Sequence, residues 1–146
     1  PQPLEELEVL NRIDSGSMDK PIDAEPITLE ELTFLQQMTR RIFLHDTLKA
    51  YIVDLINTTR GMGPNPLPGF SQHVRVGASP RGGIALMRVS QAVALMQGRN
   101  YVMPEDIKKL RHPILRHRII RTFDAMADDI SVDGLIDAVF SAVAVP

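Results

Sequence analysis

Apolar and polar residues alternate along this chain mainly with the 3.6-residue period of an amphipathic helix. Leu48, Tyr51, Ile52, Leu55 and Ile56 share one face of a helix that Asp46 can cap, with Asp54, Asn57 and Thr58 opposite. Leu29, Leu32, Leu35, Met38 and Ile42 keep the same spacing behind "TLEE", in which Thr28 and Glu31 are placed for a capping box. Pro3 fits a first helical turn, and "LEELEVLNRI" then runs to Ile13 with an acidic start that suits the helix dipole. Ser79 is expected to cap a helix that ends at Gly98. That helix is apolar on most faces, with Arg81, Arg88 and Gln91 as its polar stripe, and is expected to be the central, most buried one.

"PEDIKKLR" begins a short helix with Pro104 first and Glu105 and Asp106 in its first turn. The last helix runs from a Ser131 cap through Val132, Leu135, Ile136, Val139 and Val143. "DSGSMDKPIDAEPI" and the proline-rich "GMGPNPLPGF" read as irregular, and "HVRV" and "NYV" as short extended pieces. The predicted architecture is an all-α bundle with one or two very short extended pieces.

Composition narrows this further. A chain of 146 residues suits one domain, and with 5% aromatic residues and no tryptophan, aliphatic side chains must fill its core. A net charge of −2 gives no overall attraction to nucleic acid or to an anionic membrane. The absence of cysteine rules out disulfides and thiolate metal sites and fits a cytoplasmic protein. The longest apolar-rich stretch, 84–96, is broken by Arg88, Ser90 and Gln91, so no membrane span is expected. The sequence starts at Pro1, which points to a fragment of a longer protein.

The candidate chemistry centres on "VGASPRGG", residues 76–83. Ser79 and Pro80 fix the helix start, so Arg81 lies in the first turn, beside backbone N–H groups without helical partners. An anion there would meet the helix dipole, those donors and a guanidinium that can hold a phosphate through two hydrogen bonds. Gly77 permits a sharp turn or a close approach. Gly82 and Gly83 each cost about 1 kcal/mol against alanine within a helix, which close approach of another surface would offset. The simpler reading is a capped helix with a solvated arginine.

Other groupings carry less. Arg111, His112, Arg116, His117 and Arg118 cluster in "RHPILRHR", where a structural role is expected in preference to nucleic-acid binding. The four histidines do not have metal-ligand spacing. Arg60 reads as a helix-end cation, with a place facing a nucleotide as the alternative, and Tyr101 reads as core.

Taken together, "GASPR", "GRNYVMPEDI" and "LRHRI" resemble the C-terminal lid of the MoxR family of AAA+ ATPases, "GASPR" being similar to its sensor 2 motif. The likeness extends more weakly to "AYIVDLINTTR", to the closing helix and to "PQPLEELEVLNRI", so it covers nearly the whole chain. It implies a single lid domain over 1–146, with 1–27 holding the connecting helix and loop from an ATPase core. It implies that Arg81 contacts the terminal phosphate of ATP, with Gly77, Ser79 and Pro80 shaping the motif. ATP and magnesium are expected in the full-length protein and no cofactor in the isolated fragment. No "GxxxxGK[ST]" occurs, so this chain alone is expected to hydrolyse nothing.

The implied partners are the protein's own core, neighbouring subunits of a homo-oligomeric, hexameric ring, and von Willebrand factor A domain proteins, in chaperone-like assembly or maturation of other proteins. The resemblance also raises the possibility that the lid is displaced so that Arg81 serves the neighbouring subunit's nucleotide, and the long 61–70 loop is expected to give room for that. Two departures stand out: that loop, and Met103 where a capping Ser or Thr is common. The alternatives are a stand-alone helical protein-interaction module and a nucleic-acid-binding helical domain.

Overall fold

The computed structural model describes residues 2–16, 25–64 and 67–146, in two compact units, Pro1–Leu32 and Thr33–Pro146. Of the two loops expected from sequence, residues 17–24 and 65–66 lie outside the described residues.

In the first unit, helix α1 (Pro3–Asp14) starts where expected, with Pro3 in its first turn and the Gln2 N–H donating to Glu5 at 2.8 Å. Leu4, Leu7, Leu10 and Ile13 are all exposed. Helix α2 (Leu29–Arg41) opens on the predicted box: the Thr28 N–H donates to the Glu31 carboxylate at 2.7 Å, and the Glu31 N–H to the Thr28 hydroxyl at 3.1 Å. None of its residues is buried, and of the expected stripe only Ile42, just past its end, is.

The core of the second unit is built on α3 (Asp46–Thr58), which buries the predicted face of Leu48, Tyr51, Ile52, Leu55 and Ile56. Two details differ from expectation. His45, not Asp46, is the cap: its backbone is extended and its Nδ1 accepts the Thr47 N–H. Asp46 instead occupies the first turn, where its charge faces the helix dipole and pairs with Lys49 at 2.8 Å. Thr58, assigned to the polar face, is buried, because the chain folds back over the end of α3.

A short helix α4 (Phe70–His73) follows, its Phe70 buried although "GMGPNPLPGF" reads as irregular in sequence. Strand β1 (Val74–Val76) then leads to the long helix α5 (Pro80–Met96). Helix α5 packs on α3, α6 (Pro104–Lys109) and α7 (Arg111–Leu115), so it is central. It is not the most buried helix, since Ile84, Val89 and Met96 are exposed while α3 buries six residues to its five. Gln91, expected in the polar stripe, is buried and donates to the Ile42 carbonyl at 2.8 Å, which ties α5 to the start of the α3 region. Gly98, at φ +71°, ends α5 as predicted, with its own N–H and that of Arg99 bonded to the Leu95 and Ala94 carbonyls.

A 3-10 turn (Arg116–Arg118) leads to strand β2 (Ile120–Arg121), which pairs antiparallel with β1. Helix α8 (Phe123–Ala127) and helix α9 (Val132–Ala142) close the chain. The Ser131 hydroxyl accepts the Gly134 N–H at 3.0 Å, the predicted cap of α9. The whole is helical, with one two-stranded sheet among the described residues.

Candidate functional site

The "GASPR" backbone is held from below by the end of α3. Gly77 lies against the Thr59 peptide so closely that a Cβ would come 2.2 Å from the Thr59 carbonyl oxygen. Ala78, fully buried, donates its N–H to the Thr59 hydroxyl at 2.9 Å, and that hydroxyl donates its own proton to the Ile56 carbonyl at 2.7 Å. The Arg60 Nε–H donates to the Ala78 carbonyl at 2.7 Å. Both polar groups of the Ala78 backbone are thus bound by side chains 18 and 19 residues earlier. Arg60, just past the end of α3, thus spends its Nε–H on this backbone.

Above this clamp, Ser79 takes an extended conformation and Pro80 fills the first helical position, where its missing N–H costs nothing. The Ser79 hydroxyl makes no cap bond, contrary to expectation. The donor it would meet, the Gly82 N–H, is taken by the Ser79 carbonyl at 2.8 Å. The Arg81 side chain is exposed, and neither it nor the Arg81 N–H has a hydrogen-bond partner among the described residues. A planar cation and an open helix end are therefore presented together.

The two glycines after Arg81 have the packing reason their sequence cost implied. A Cβ on Gly82 would lie 3.2 Å from Ile56 Cδ1 and 3.3 Å from Arg118 Cδ, and one on Gly83 would lie 3.4 Å from both Ile52 and Ile56. Helix α5 thus approaches α3 closely at the end that carries Arg81. The stem of Arg118, from "LRHRI", forms part of the same wall, and its Nη1 donates to the Ile114 carbonyl at 2.8 Å.

Between α3 and α5 lies an apolar groove of about 390 Å³, lined by Ile52, Val53, Ile84 and Met87, with Lys49 and Arg60 bringing charge to it. Its lining suits an apolar surface and not a phosphate, which separates it from the chemistry of Arg81.

"GRNYVMPEDI" forms a buried ionic joint. Arg99 meets Asp106 through two hydrogen bonds, at 2.7 and 2.9 Å, with the Asp106 side chain only 2% exposed. Burial pushes the Asp106 carboxyl up, but the Arg99 hydrogen bonds, the Met103 N–H and the Arg99 and Lys109 charges outweigh it, leaving it below the ordinary range. Asp106 also accepts the Met103 N–H at 2.8 Å, the half of a capping box that does not depend on a hydroxyl at 103. Tyr101, read as core, is half exposed, with the Arg99 guanidinium 5.9 Å from its ring centre. The buried tyrosine is Tyr51.

The basic "RHPILRHR" segment is partly neutralised from α9. Arg116 binds Asp133 through two bonds, at 2.6 and 2.8 Å, and Arg111 and His112 both contact Asp137, at 2.6 and 2.9 Å. These bonds support the structural reading of the segment. Among the described residues no group of three or more histidine, cysteine, aspartate and glutamate side chains is arranged to hold a metal ion. No helix among them is long and apolar enough to cross a membrane.

Comparison with known proteins matches residues 70–139 to the AAA lid domain family. The chain is 32% identical over 146 residues to the chaperone MoxR1 of Mycobacterium tuberculosis, covering 100% of this chain and 38% of that protein. It is 37% identical over 146 residues to the uncharacterized protein YeaC of Bacillus subtilis, covering 97% of this chain and 41% of that one. A crystal structure of a protein from Cytophaga hutchinsonii, assigned as an ATPase, superposes with a TM-score of 0.82 at 29% identity. That match covers 99% of this chain and 44% of the other. The chain thus spans about two-fifths of the length of the proteins it matches.

Proposed function

This chain belongs to the AAA lid domains of MoxR-like AAA+ ATPases, and we propose that it closes over ATP and senses the terminal phosphate through Arg81. The observation that carries the reading is Arg81 itself: an exposed guanidinium without a partner in the first turn of α5, on a backbone that Thr59 and Arg60 hold in place. A phosphate oxygen cluster fits both the guanidinium and the helix end.

ATP offers a terminal phosphate that ADP lacks. Arg81 can therefore favour the closed arrangement only in the ATP state, and hydrolysis releases it. In this reading the magnesium ligands and the phosphate-cradling loop belong to the ATPase core of a longer protein. That longer protein assembles as a hexameric ring in the cytoplasm and uses the lid's motion in chaperone-like assembly or maturation of other proteins. The name of the Mycobacterium tuberculosis relative, a chaperone, supports this last step. Proteins with von Willebrand factor A domains are proposed as partners on the family resemblance alone.

The test is steady-state hydrolysis and ADP binding by the longer ATPase with Arg81→Ala and Arg81→Lys. Arg81→Ala should lower turnover by about tenfold or more, equivalent to about 1.4 kcal/mol of transition-state stabilisation per tenfold, and leave ADP affinity nearly unchanged. Arg81→Lys should recover only part of the loss, because an ammonium cannot reproduce the planar fork. Wild-type turnover in Arg81→Ala would remove the proposal.

A further inference from the structure

We propose that Thr59 and Arg60 are positioning residues for Arg81: they aim the helix start at the phosphate and act on hydrolysis only through it. The inference rests on the reading of Arg81 above and adds to it a pair of residues from a different helix.

The geometry is specific. A helix start usually takes its direction from its own cap, yet the Ser79 hydroxyl makes no cap bond. The direction is set instead from the end of α3. Thr59 and Arg60, consecutive in sequence, bind the N–H and the carbonyl of the one residue Ala78, at 2.9 and 2.7 Å. Ala78 is two residues before the first helical position, and Arg81 is the second. Gly77 seats against the Thr59 peptide with no room for a side chain, which fixes the third side of the turn.

The clamp is stiff because its parts are satisfied in series. Thr59 is fully buried, with its hydroxyl proton committed to Ile56 and a lone pair to Ala78. Arg60 has its Nε–H engaged on the Ala78 carbonyl. Displacing a charged group by even about 1 Å can cost a large part of a rate enhancement, so a clamp one turn below Arg81 bears directly on turnover.

The experiment is a mutant cycle in the longer ATPase. Arg60→Ala and Thr59→Val should each lower ATP turnover on the order of tenfold, with ADP affinity unchanged. Thr59→Ser, which keeps the hydroxyl, should retain most of the turnover. The deciding variant is Arg60→Ala combined with Arg81→Ala, which should turn over ATP no more slowly than Arg81→Ala alone. A general loss of structure would not give that result, because it would multiply with the loss from Arg81. Thermal melting of each variant runs alongside, and Thr59→Ser and Arg60→Ala are the mild pair if Thr59→Val unfolds. Full turnover in Arg60→Ala, or a double variant about tenfold slower than Arg81→Ala, overturns the inference while leaving Arg81 in place. Wild-type turnover in Arg81→Ala removes the underlying reading, and this inference with it.

Discussion

Gly77 and Thr59 touch backbone to backbone: a methyl group on Gly77 would sit 2.2 Å from the Thr59 carbonyl oxygen and 2.6 Å from its carbon. Neither atom belongs to a flexible side chain, so the contact cannot be relieved by a rotamer change. Gly77→Ala should therefore destabilise the helical unit by about 3 kcal/mol, the upper range for forced overpacking, and lower its melting temperature by about 10 °C. Gly98→Ala provides a contrast, since no atom lies within 4 Å of a Cβ there and only the positive φ resists it. Its cost should be about 1 to 2 kcal/mol, that of an L-residue in the left-handed region. Equal melting temperatures for the two variants would contradict this account of Gly77.

The Arg99–Asp106 joint gives a pH dependence with a definite sign. The Asp106 carboxyl is held below its ordinary range in the folded state, so as pH falls the unfolded chain takes up the proton first. The stability it contributes is complete above the ordinary carboxylate range, near about pH 4, and drains away as pH falls through the lower native value. Asp106→Ala should cost about 3 kcal/mol at neutral pH, because the half-buried Met103 N–H and the Arg99 fork lose their acceptor together. Urea unfolding at a series of pH values from 7 to 2 checks both parts. The gap between wild type and Asp106→Ala should narrow on the acid side, and a gap constant down to pH 2 would mean that Asp106 is not the acid-sensitive group.

Much of this was legible in the sequence wherever the governing interactions are local. The buried face of α3, the Thr28–Glu31 box, the Ser131 cap and the helix start at Pro80 each follow from residues within a few positions of one another. What periodicity could not show is long-range. Strand β2 is two residues long and exists because β1, more than 40 residues earlier, offers it backbone partners. The bond from Arg60 to Ala78 and those from Arg111 and Arg116 to α9 join charged residues whose local pattern looks like ordinary solvated surface. His45 is the cap in place of Asp46 because the helix begins one residue earlier than expected, and an imidazole nitrogen can accept the Thr47 N–H. For Arg81, sequence placed it in the first turn, and the structure adds that the backbone beneath it is clamped.

That clamp bears on which nucleotide Arg81 would serve. From sequence, the loop at 61–70 is expected to give the lid room to be displaced toward a neighbouring subunit. Yet Thr59 and Arg60, just before the loop, bind Ala78, just after β1, so the excursion from 61 to 76 is closed at its base. These bonds hold the start of α5 to the end of α3. Service to a neighbour requires the helical unit to move as a body, and the proposal that Arg81 reaches the neighbouring pocket is kept in that form. Mixing two variants of the longer ATPase tests it: one lacks Arg81 but has an intact phosphate loop, and the other has Arg81 but a disabled phosphate loop. If Arg81 acts across the interface, a subunit of the first kind beside one of the second combines an intact pocket with an intact arginine, and activity rises above the sum of the separate variants. If it acts within its own subunit, no subunit in the mixture holds both parts. Activity that stays at that sum would place Arg81 over its own nucleotide.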